Sequence, residues 1–344
     1  RWGAIARAQL FGLTGRADRT IVSAFATSDL EEQRTIQLGH DLAIGGEGLR
    51  VGALFTHAWA NPAIAGDSDL KARSLLATLY ADYPIVRSLG LTFRGSIGFD
   101  LVNQDVDFNG RGISEDRLRT GFVRLAMDAL GASGDRRLPG EPLWQFNGFI
   151  ELRKGLDILR ASHACGAIPS SCDGVPPSRP SAVSTAAIVR TFLNAEFHPA
   201  PMVTFSLAAS GQYAWKPLGS FEEFSAGNYT VGRGYDPGAL LGDRGWGTQA
   251  EIRLGSTVPA SVRKPAVEGY VFFDHARVRA LDGMAPVGPR HLYSTGAGVR
   301  VTYDRFVLDG SLAVPLTQLG EADEKPDPRL LVSVTTRLWP WRYR

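Results

Sequence analysis

Hydrophobic and polar residues alternate with a period of two along most of the chain. In residues 91–101, for example, Phe93 and Ile97 fall on one face of an extended strand. Arg94 and Asp100 fall on the opposite face. Because successive side chains of a strand point to opposite faces, this period predicts β-strands with one apolar and one polar face. The chain is therefore predicted to be all-β.

About fifteen segments show this alternation, with boundaries that are good to a few residues. They cover residues 2–13, 19–28, 33–44, 49–60, 71–85, 89–107, 114–131, 142–158, 183–197, 200–216, 245–258, 266–280, 291–304, 305–317 and 329–339. Strands of soluble proteins have about five or six residues, whereas a tilted strand that crosses a bilayer needs about ten. Many of these segments reach that length, which favours a membrane-spanning barrel.

The connections between the predicted strands are of unequal length. Tight turns are predicted at residues 45–48, 199–201 and 303–305. Longer loops are predicted at residues 132–141, 160–183, 218–244 and 281–290. Short turns that alternate with long loops are typical of an outer-membrane barrel, in which the turns lie on the periplasmic side.

A soluble β-sandwich or a repeat protein is the alternative, because these folds also alternate apolar and polar positions. Their apolar faces meet each other, and the sequence pattern does not decide which face is inside. Tryptophans near strand ends favour the membrane, since aromatic residues gather at both surfaces of a bilayer. These residues are Trp2, Trp59, Trp215, Trp246, Trp339 and Trp341. The favoured fold class is a transmembrane antiparallel β-barrel.

The composition of the 344 residues fits a folded protein with many turns, since it includes 39 glycines and 20 prolines. The formal net charge is +2 and the arginines are scattered, so no nucleic-acid partner is predicted. The sequence contains no stretch of about 18 apolar residues, so it predicts no transmembrane helix, which does not count against membrane-spanning strands. The chain starts at Arg1 within an alternating segment, and we expect it to be a fragment of a longer precursor.

The two cysteines, Cys165 and Cys172, lie in a segment rich in glycine, proline and serine. Two cysteines this close among turn residues predict a small disulfide loop in an oxidising compartment, and two free thiols are the alternative. His163 is the nearest histidine, and no second ligand pair has the spacing of a zinc site. We therefore expect no metal site and no cofactor.

No catalytic constellation stands out among the polar residues. The six histidines are scattered, and none has a serine or aspartate at the spacing of a catalytic motif. His275 adjoins Asp274, but neighbours along a strand point to opposite faces. The glycine-rich run at residues 232–238 lacks the Lys-Ser/Thr ending of a phosphate-binding loop. The chain is predicted not to be an enzyme.

A glycine-rich stretch at residues 228–254 differs from the rest of the sequence. Arg233 stands between two glycines and is followed by Tyr235 and an Asp-Pro-Gly turn. Glycine permits tight turns and close approaches, so this stretch can fold back and place an arginine and an aromatic ring inside an enclosing wall. Asp274 lies in an apolar predicted strand and shares a face with Phe272. That face should be lumenal, because a carboxylate facing lipid would carry a large free-energy cost.

The glycine-rich stretch resembles the loop-six signature of the two-partner secretion transporters, the TpsB type of outer-membrane protein. The signature is written Val-Arg-Gly-Phe/Tyr. Arg233, Gly234 and Tyr235 match it, and Gly232 stands where valine is usual. The resemblance implies that loop six folds into the lumen of a barrel with sixteen strands.

A second signature of the same family is an aromatic run closed by aspartate. Residues 269–274 are similar to it and include Phe272 and Asp274. On both motifs the chain is identified as a member of the haemolysin secretion/activation proteins of the ShlB/FhaC/HecB type, within the BamA/TpsB barrel superfamily. The resemblance implies an ion pair between Arg233 and Asp274.

The resemblance also implies a function. It is the export of a large TpsA-type exoprotein across the bacterial outer membrane, through the barrel lumen and without nucleotide hydrolysis. The implied partners are this exoprotein and outer-membrane lipid. Residues 1–344 would form the barrel domain, with the periplasmic POTRA domains and the first strand outside the sequence. An insertase of the same superfamily is the first alternative, and a passive porin, which would not need the two motifs, is the second.

Overall fold

A computed structural model of the protein describes residues 2–62, 68–131, 142–165, 172, 174–228, 230–259, 261, 264–282, 290–319 and 326–338. The strands are β1 (Gly3–Phe11), β2 (Arg19–Thr27), β3 (Gln33–Ile44), β4 (Leu49–Ala60), β5 (Leu70–Arg87), β6 (Leu91–Phe108), β7 (Arg111–Leu130), β8 (Trp144–Gly155), β9 (Ala187–Ala200), β10 (Val203–Ala214), β11 (Phe224–Ala226), β12 (Leu240–Gly242), β13 (Arg244–Gly255), β14 (Ala266–Arg279), β15 (Arg290–Tyr303), β16 (Phe306–Pro315) and β17 (Arg329–Thr336). Fifteen of them form one antiparallel sheet in chain order, and β11 pairs with β12 separately.

The fifteen strands of the large sheet correspond to the predicted segments, so the all-β prediction is confirmed. The clearest difference is at the β6–β7 hairpin, where the predicted strands end at residue 107 and resume at residue 114. Asn109 and Gly110 have positive φ angles of 49° and 76°, which suit a two-residue hairpin turn. Pairing therefore continues to Phe108 and Arg111. Polar residues surround this turn on both faces, so the alternation that marks the other strands is weak there.

Apolar side chains cover the outer face of the sheet. Ile97 is 62% exposed, Val123 is 51% exposed and Val271 is 53% exposed. In β14 such exposed residues alternate with buried ones, which include Phe272 and Asp274. A β-sandwich would bury its apolar faces against each other, so the soluble alternative is wrong. An apolar outer face around a polar interior is the arrangement of an outer-membrane barrel.

The connection between β10 and β13, residues 215–243, lies inside the curved sheet, and we call it loop six. Its Glu222 contacts Thr120 of β7 at 3.4 Å, and its Asp236 contacts Arg329 of β17 at 2.7 Å. Neighbouring strands are about 4.8 Å apart, so β7 and β17 are separated by on the order of 40 Å along the sheet. One loop reaches both because the sheet curves around it. The fold is a transmembrane antiparallel β-barrel with loop six in its lumen.

The two ends of the barrel differ in their longest connections, although the two-residue turn at 109–110 lies at the same end as loop six. Two-residue turns at 201–202 and 304–305 lie at one end. The connection of residues 156–186 and loop six lie at the other. Because outer-membrane barrels have short periplasmic turns and longer extracellular loops, the end with the long connections is the extracellular end.

Of the tryptophans near strand ends, Trp2, Trp215 and Trp246 are exposed, at 71%, 54% and 43%, whereas Trp59 is half-buried. Trp339, Trp341 and the predicted loop at residues 132–141 lie outside the described residues. Among the described residues, no ladder joins β1 to β17. In the same part of the chain, no helical segment has the length and hydropathy needed to cross a bilayer.

Candidate functional site

Loop six carries the arginine motif and is closed at its base by a short ladder. The pairing of β11 with β12 leaves residues 227–239 as the tip of the loop. Gly227 has a φ angle of 137°, and a Cβ atom built there would lie 2.0 Å from the carbonyl oxygen of Asp236. Glycine is therefore needed where the two sides of the tip cross.

Arg233 and Asp274 are in direct contact in the lumen. The fully buried carboxylate of Asp274, on β14, accepts hydrogen bonds from Nε and Nη2 of Arg233 at 3.1 and 2.7 Å. It also accepts the backbone N–H of Arg233 at 2.9 Å and the hydroxyl of Ser294 at 3.1 Å. The guanidinium lies over the ring of Phe272, 3.6 Å from the ring centroid. The structure thus brings the two motifs together in a bidentate, buried ion pair.

Glu251 on β13 joins this ion pair to a charge network on the lumenal wall. Its carboxylate contacts Arg233 at 2.5 Å, Arg253 at 2.7 Å and Arg300 at 3.2 Å. Loss of Arg233 would therefore leave Glu251 with two other guanidinium partners. Among the described residues, Asp274 has no second cationic partner, so the contact of Asp274 with Arg233 is the sensitive one.

Tyr235 fixes the other side of the loop tip. Its side chain is 1% exposed, and its ring packs with Val231 and Leu292 in a small apolar core between the loop and the wall. Its hydroxyl lies 2.8 Å from the carbonyl oxygen of Tyr293 and accepts the backbone N–H of Thr317 at 2.8 Å. The buried ring of Tyr235 contributes apolar contact, and its hydrogen-bonded hydroxyl fixes the position of the loop tip against the wall.

Gly234 lets the loop lie directly against β15 and β16. A Cβ atom at this position would lie 2.8 Å from the backbone nitrogen of Pro315 and 3.0 Å from Cβ of Ser294. We expect Gly234→Ala to push the tip off the wall and to weaken its docking by about 1–3 kcal/mol, the usual cost of overpacking. Cleavage of loop six by added protease measures this effect. Gly219→Ala is the matched control in the same loop, because its nearest contact is 3.5 Å, and equal cleavage of both variants would contradict the prediction.

One buried arginine and three carboxylates hold the base of loop six, and we call Arg179, Glu223, Asp243 and Asp282 the Arg179 cluster. The Arg179 guanidinium contacts Glu223 at 2.9 Å, Asp243 at 2.7 Å and Asp282 at 2.5 Å. Arg179 belongs to the connection of residues 156–186, and Asp282 follows β14. The cluster therefore ties three extracellular connections together. Sequence reasoning missed it, because its members lie far apart in the chain and outside any alternating segment.

The Arg179 cluster should make loop docking dependent on pH. Burial raises the pKa of the Glu223 carboxyl from 4.5 to about 7, although the charge of Arg179 acts in the opposite direction. Between pH 4.5 and about 7, Glu223 is therefore protonated when the loop is docked and ionised when the loop is released. Docking weakens as the pH rises through this range and is constant above it. We expect the channel current to rise several-fold from about pH 5 to about pH 8, and Glu223→Gln to abolish the rise. Equal pH profiles for both proteins in planar bilayers would rule this out.

Loop six also contacts the wall at β8–β10. The carboxylate of Glu222 lies 3.7 Å from Arg153 of β8. The backbone carbonyl of Glu222 accepts hydrogen bonds from Gln212 at 2.8 Å and Arg190 at 3.1 Å. The loop is thus attached at its tip, at its base and along its entry. Alternation predicts that Arg153, Arg190 and Gln212 face the lumen, but nothing in the sequence indicates that they contact Glu222.

The remaining predicted residues lie away from this ion pair. Cys165 and Cys172 are joined by a disulfide in the connection of residues 156–186, with 4.9 Å between their Cα atoms. His275 stacks on Tyr293 on the outer face, with 4.3 Å between ring centroids, and does not share the face of Asp274. Among the described residues, no group of His, Cys, Asp and Glu is arranged to hold a metal ion.

A family model matches the part of the chain that contains loop six and β14. The family model described as haemolysin secretion/activation protein ShlB/FhaC/HecB matches residues 111–301, which is more than half of the chain and includes loop six and β14. The chain belongs to this family. The ShlB/FhaC/HecB family is one of transporters rather than enzymes, and its barrels lie in the bacterial outer membrane. No curated protein sequence matches the chain significantly.

Solved structures support the same fold. CdiB from Escherichia coli is 13% identical with a TM-score of 0.76, and the match covers 97% of this chain and 59% of that one. CdiB from Acinetobacter baumannii is 19% identical with a TM-score of 0.70, covering 96% and 56%. BamA from Haemophilus ducreyi, lacking POTRA domains 1–3, is 12% identical with a TM-score of 0.63, covering 97% and 67%. At these identities the likeness establishes the barrel fold, and the chain spans less than two thirds of either CdiB structure.

Proposed function

We propose that this barrel exports a large partner exoprotein from the periplasm to the cell surface, with the contact between Arg233 and Asp274 acting as a latch on loop six. Membership of the haemolysin secretion family supports the export of a partner protein. The observation that carries the proposal is the seating of the Arg-Gly-Tyr motif on the inner wall. A passive porin has no need of a loop bound in this way.

The latch has a physical basis in the difference between its two partners. Asp274 is fully buried, so its burial carries a large free-energy cost unless a cation and hydrogen-bond donors surround it. Arg233 lies between two glycines at the loop tip, so it can move away from the wall together with the loop. The ion pair therefore favours one position of the loop, and an exoprotein segment that competes for the same wall would release it.

Transport in this proposal uses no nucleotide and no catalytic step. Within the glycine-rich run at residues 232–238, the backbone amides of Arg233 and Tyr235 already donate to Asp274 and Gly232, so these two amides do not bind a phosphate in this position of the loop. The free energy for export would come from folding of the exoprotein outside the cell, since an extended chain that folds on one side cannot easily return.

The test is a secretion assay in cells that carry the natural full-length gene product. The probe is a large exoprotein whose gene adjoins the transporter gene, followed in the medium and in the periplasm; the absence of any such gene would count against the proposal. We expect deletion of the transporter to leave the exoprotein in the periplasm while the amounts of folded outer-membrane porins stay unchanged.

Two outcomes would overturn the proposal. A fall in folded porins with normal exoprotein secretion would assign the insertase activity of the wider superfamily instead. A loss of small-solute permeability alone would assign a porin.

A further inference from the structure

Three arginines and three aromatic residues lie together on the outer face of the barrel, at its extracellular end. We call them the arginine–aromatic patch: Arg244, Trp246, His275, Arg277, Arg279 and Tyr293. They belong to the neighbouring strands β13, β14 and β15. The loop-six site uses the backbone carbonyl of Tyr293, but neither that site nor the proposed transport step uses a side chain of the patch.

Register shows that these side chains point outward. Arg277 and Arg279 are exposed and follow the same alternation as Val271 and Phe273, which are 53% and 45% exposed on the outer face. Arg277 pairs with Trp246 on β13, and Arg279, the last residue of β14, pairs with Arg244. The patch therefore lies where the apolar outer surface ends and the extracellular connections begin.

No carboxylate among the described residues neutralises the positive charge of the patch. Within the described part of the chain, neither Arg277 nor Arg279 has an ion-pair partner. The guanidinium of Arg244 lies 4.0 Å from the ring centroid of Tyr213 and donates to a backbone carbonyl, again without a carboxylate. The lumenal arginines are different, since Arg233, Arg253 and Arg300 each contact carboxylates. The carboxylates of β13 and β14 all lie on the inner face by alternation.

Three aromatic rings contact one another beside the arginines. His275 and Tyr293 are parallel, with 4.3 Å between centroids and 6° between planes. Trp246 meets His275 edge-on at 4.6 Å. Aromatic rings of this kind gather at the level of lipid headgroups, which places the arginines just beyond the acyl chains.

We propose that the arginine–aromatic patch binds the phosphate groups of lipid A, the phosphorylated glycolipid of the outer leaflet. Guanidinium groups bind phosphate oxygens in a bidentate way, and cationic clusters beside a membrane span recognise anionic headgroups. Arg277 and Arg279 are two residues apart on one strand, so their Cα atoms are about 7 Å apart and both can reach one headgroup. The rings would contact the adjoining sugar and acyl chains.

The experiment uses the purified chain in detergent and native mass spectrometry with three probe lipids. These are bisphosphorylated lipid A, the same lipid without phosphates, and phosphatidylglycerol. We expect wild-type protein to retain bisphosphorylated lipid A on the order of tenfold better than either other lipid, and Arg277→Gln/Arg279→Gln to lose on the order of tenfold in retention. Arg277→Lys/Arg279→Lys, which keeps the charge, should lose less.

A matched control removes the same charge from the other end of the barrel. Arg87→Gln/Arg337→Gln changes two exposed arginines at the periplasmic end and should retain lipid A like wild type. Mobility of unheated samples in detergent gels shows that each variant is folded. The proposal is overturned if the glutamine variant at the patch retains lipid A normally, if the control loses it equally, or if either other lipid is retained as well as lipid A.

Discussion

Replacing Arg233 with alanine is expected to release loop six from the wall and to increase the current through the pore. The substitution leaves the fully buried carboxylate of Asp274 without its cation, with Ser294 and one backbone N–H as remaining donors. Breaking a buried ion pair by removing one partner costs about 3–5 kcal/mol. The ratio of docked to released loop should therefore fall by about two to four orders of magnitude.

Single-channel conductance and exoprotein secretion measure this result together. Arg233→Ala combined with Asp274→Asn should recover part of the docking, because the second change removes the unpaired charge. The matched control is Arg329→Ala, which removes the partner of Asp236, a side chain that is 84% exposed. An exposed pair of this kind contributes about 0–1 kcal/mol, so its loss should leave the current unchanged. If Arg233→Ala behaves like this control, the latch is ruled out.

Replacing Arg179 with methionine is expected to separate the extracellular connections that it joins. Glu223 and Asp243 would then lose the guanidinium that contacts both of them and Asp282, and Asp243 is fully buried. Leaving the fully buried carboxylate of Asp243 without its arginine should cost about 3–5 kcal/mol. We expect fast cleavage of the extracellular connections by proteinase K in a barrel that remains folded.

Acidification distinguishes charge repulsion from a simple loss of packing. Burial raises the pKa of Glu223 to about 7, so lowering the pH below this value protonates Glu223 and removes its repulsion of Asp243. This should slow the cleavage of Arg179→Met, whereas a variant that lost only packing would not respond. Arg73→Met is the control, because Arg73 pairs with Asp107 at an exposed site where the arginine side chain is 56% exposed. Cleavage of Arg179→Met at the control rate would contradict the assigned role of the cluster.

The strands and their orientation could be predicted from sequence because both depend on local geometry. Alternation alone places Phe272 and Asp274 on one face of β14 and Val271 on the other, since the backbone of a strand fixes which way each side chain points. The same rule fails at the β6–β7 hairpin, where polar residues occupy both faces and the turn geometry of Asn109 and Gly110 decides the strand ends instead.

The contacts between loop six and the wall could not be predicted from alternation, because alternation does not say which distant residues meet in the folded barrel. Arg233 and Asp274 are 41 residues apart, and their proximity was suggested by the resemblance to a family rather than by any period in the sequence. No motif and no family resemblance suggested the Arg179 cluster. Its ion pairs span up to 103 residues and start from an irregular connection, so only the folded barrel brings Arg179 to its carboxylates.

Loop six is attached to one side of the barrel only. Within the described residues, its hydrogen bonds and ion pairs go to β7 and the strands and connections after it, and none goes to β1–β6. Substitutions should therefore fall into two separable genetic classes. Changes to lumenal residues of the free side, such as Gln37 and Thr56, would alter the passage while leaving the resting position of the loop intact. Changes on the attached side would alter both, and pairs drawn from opposite sides should show little epistasis.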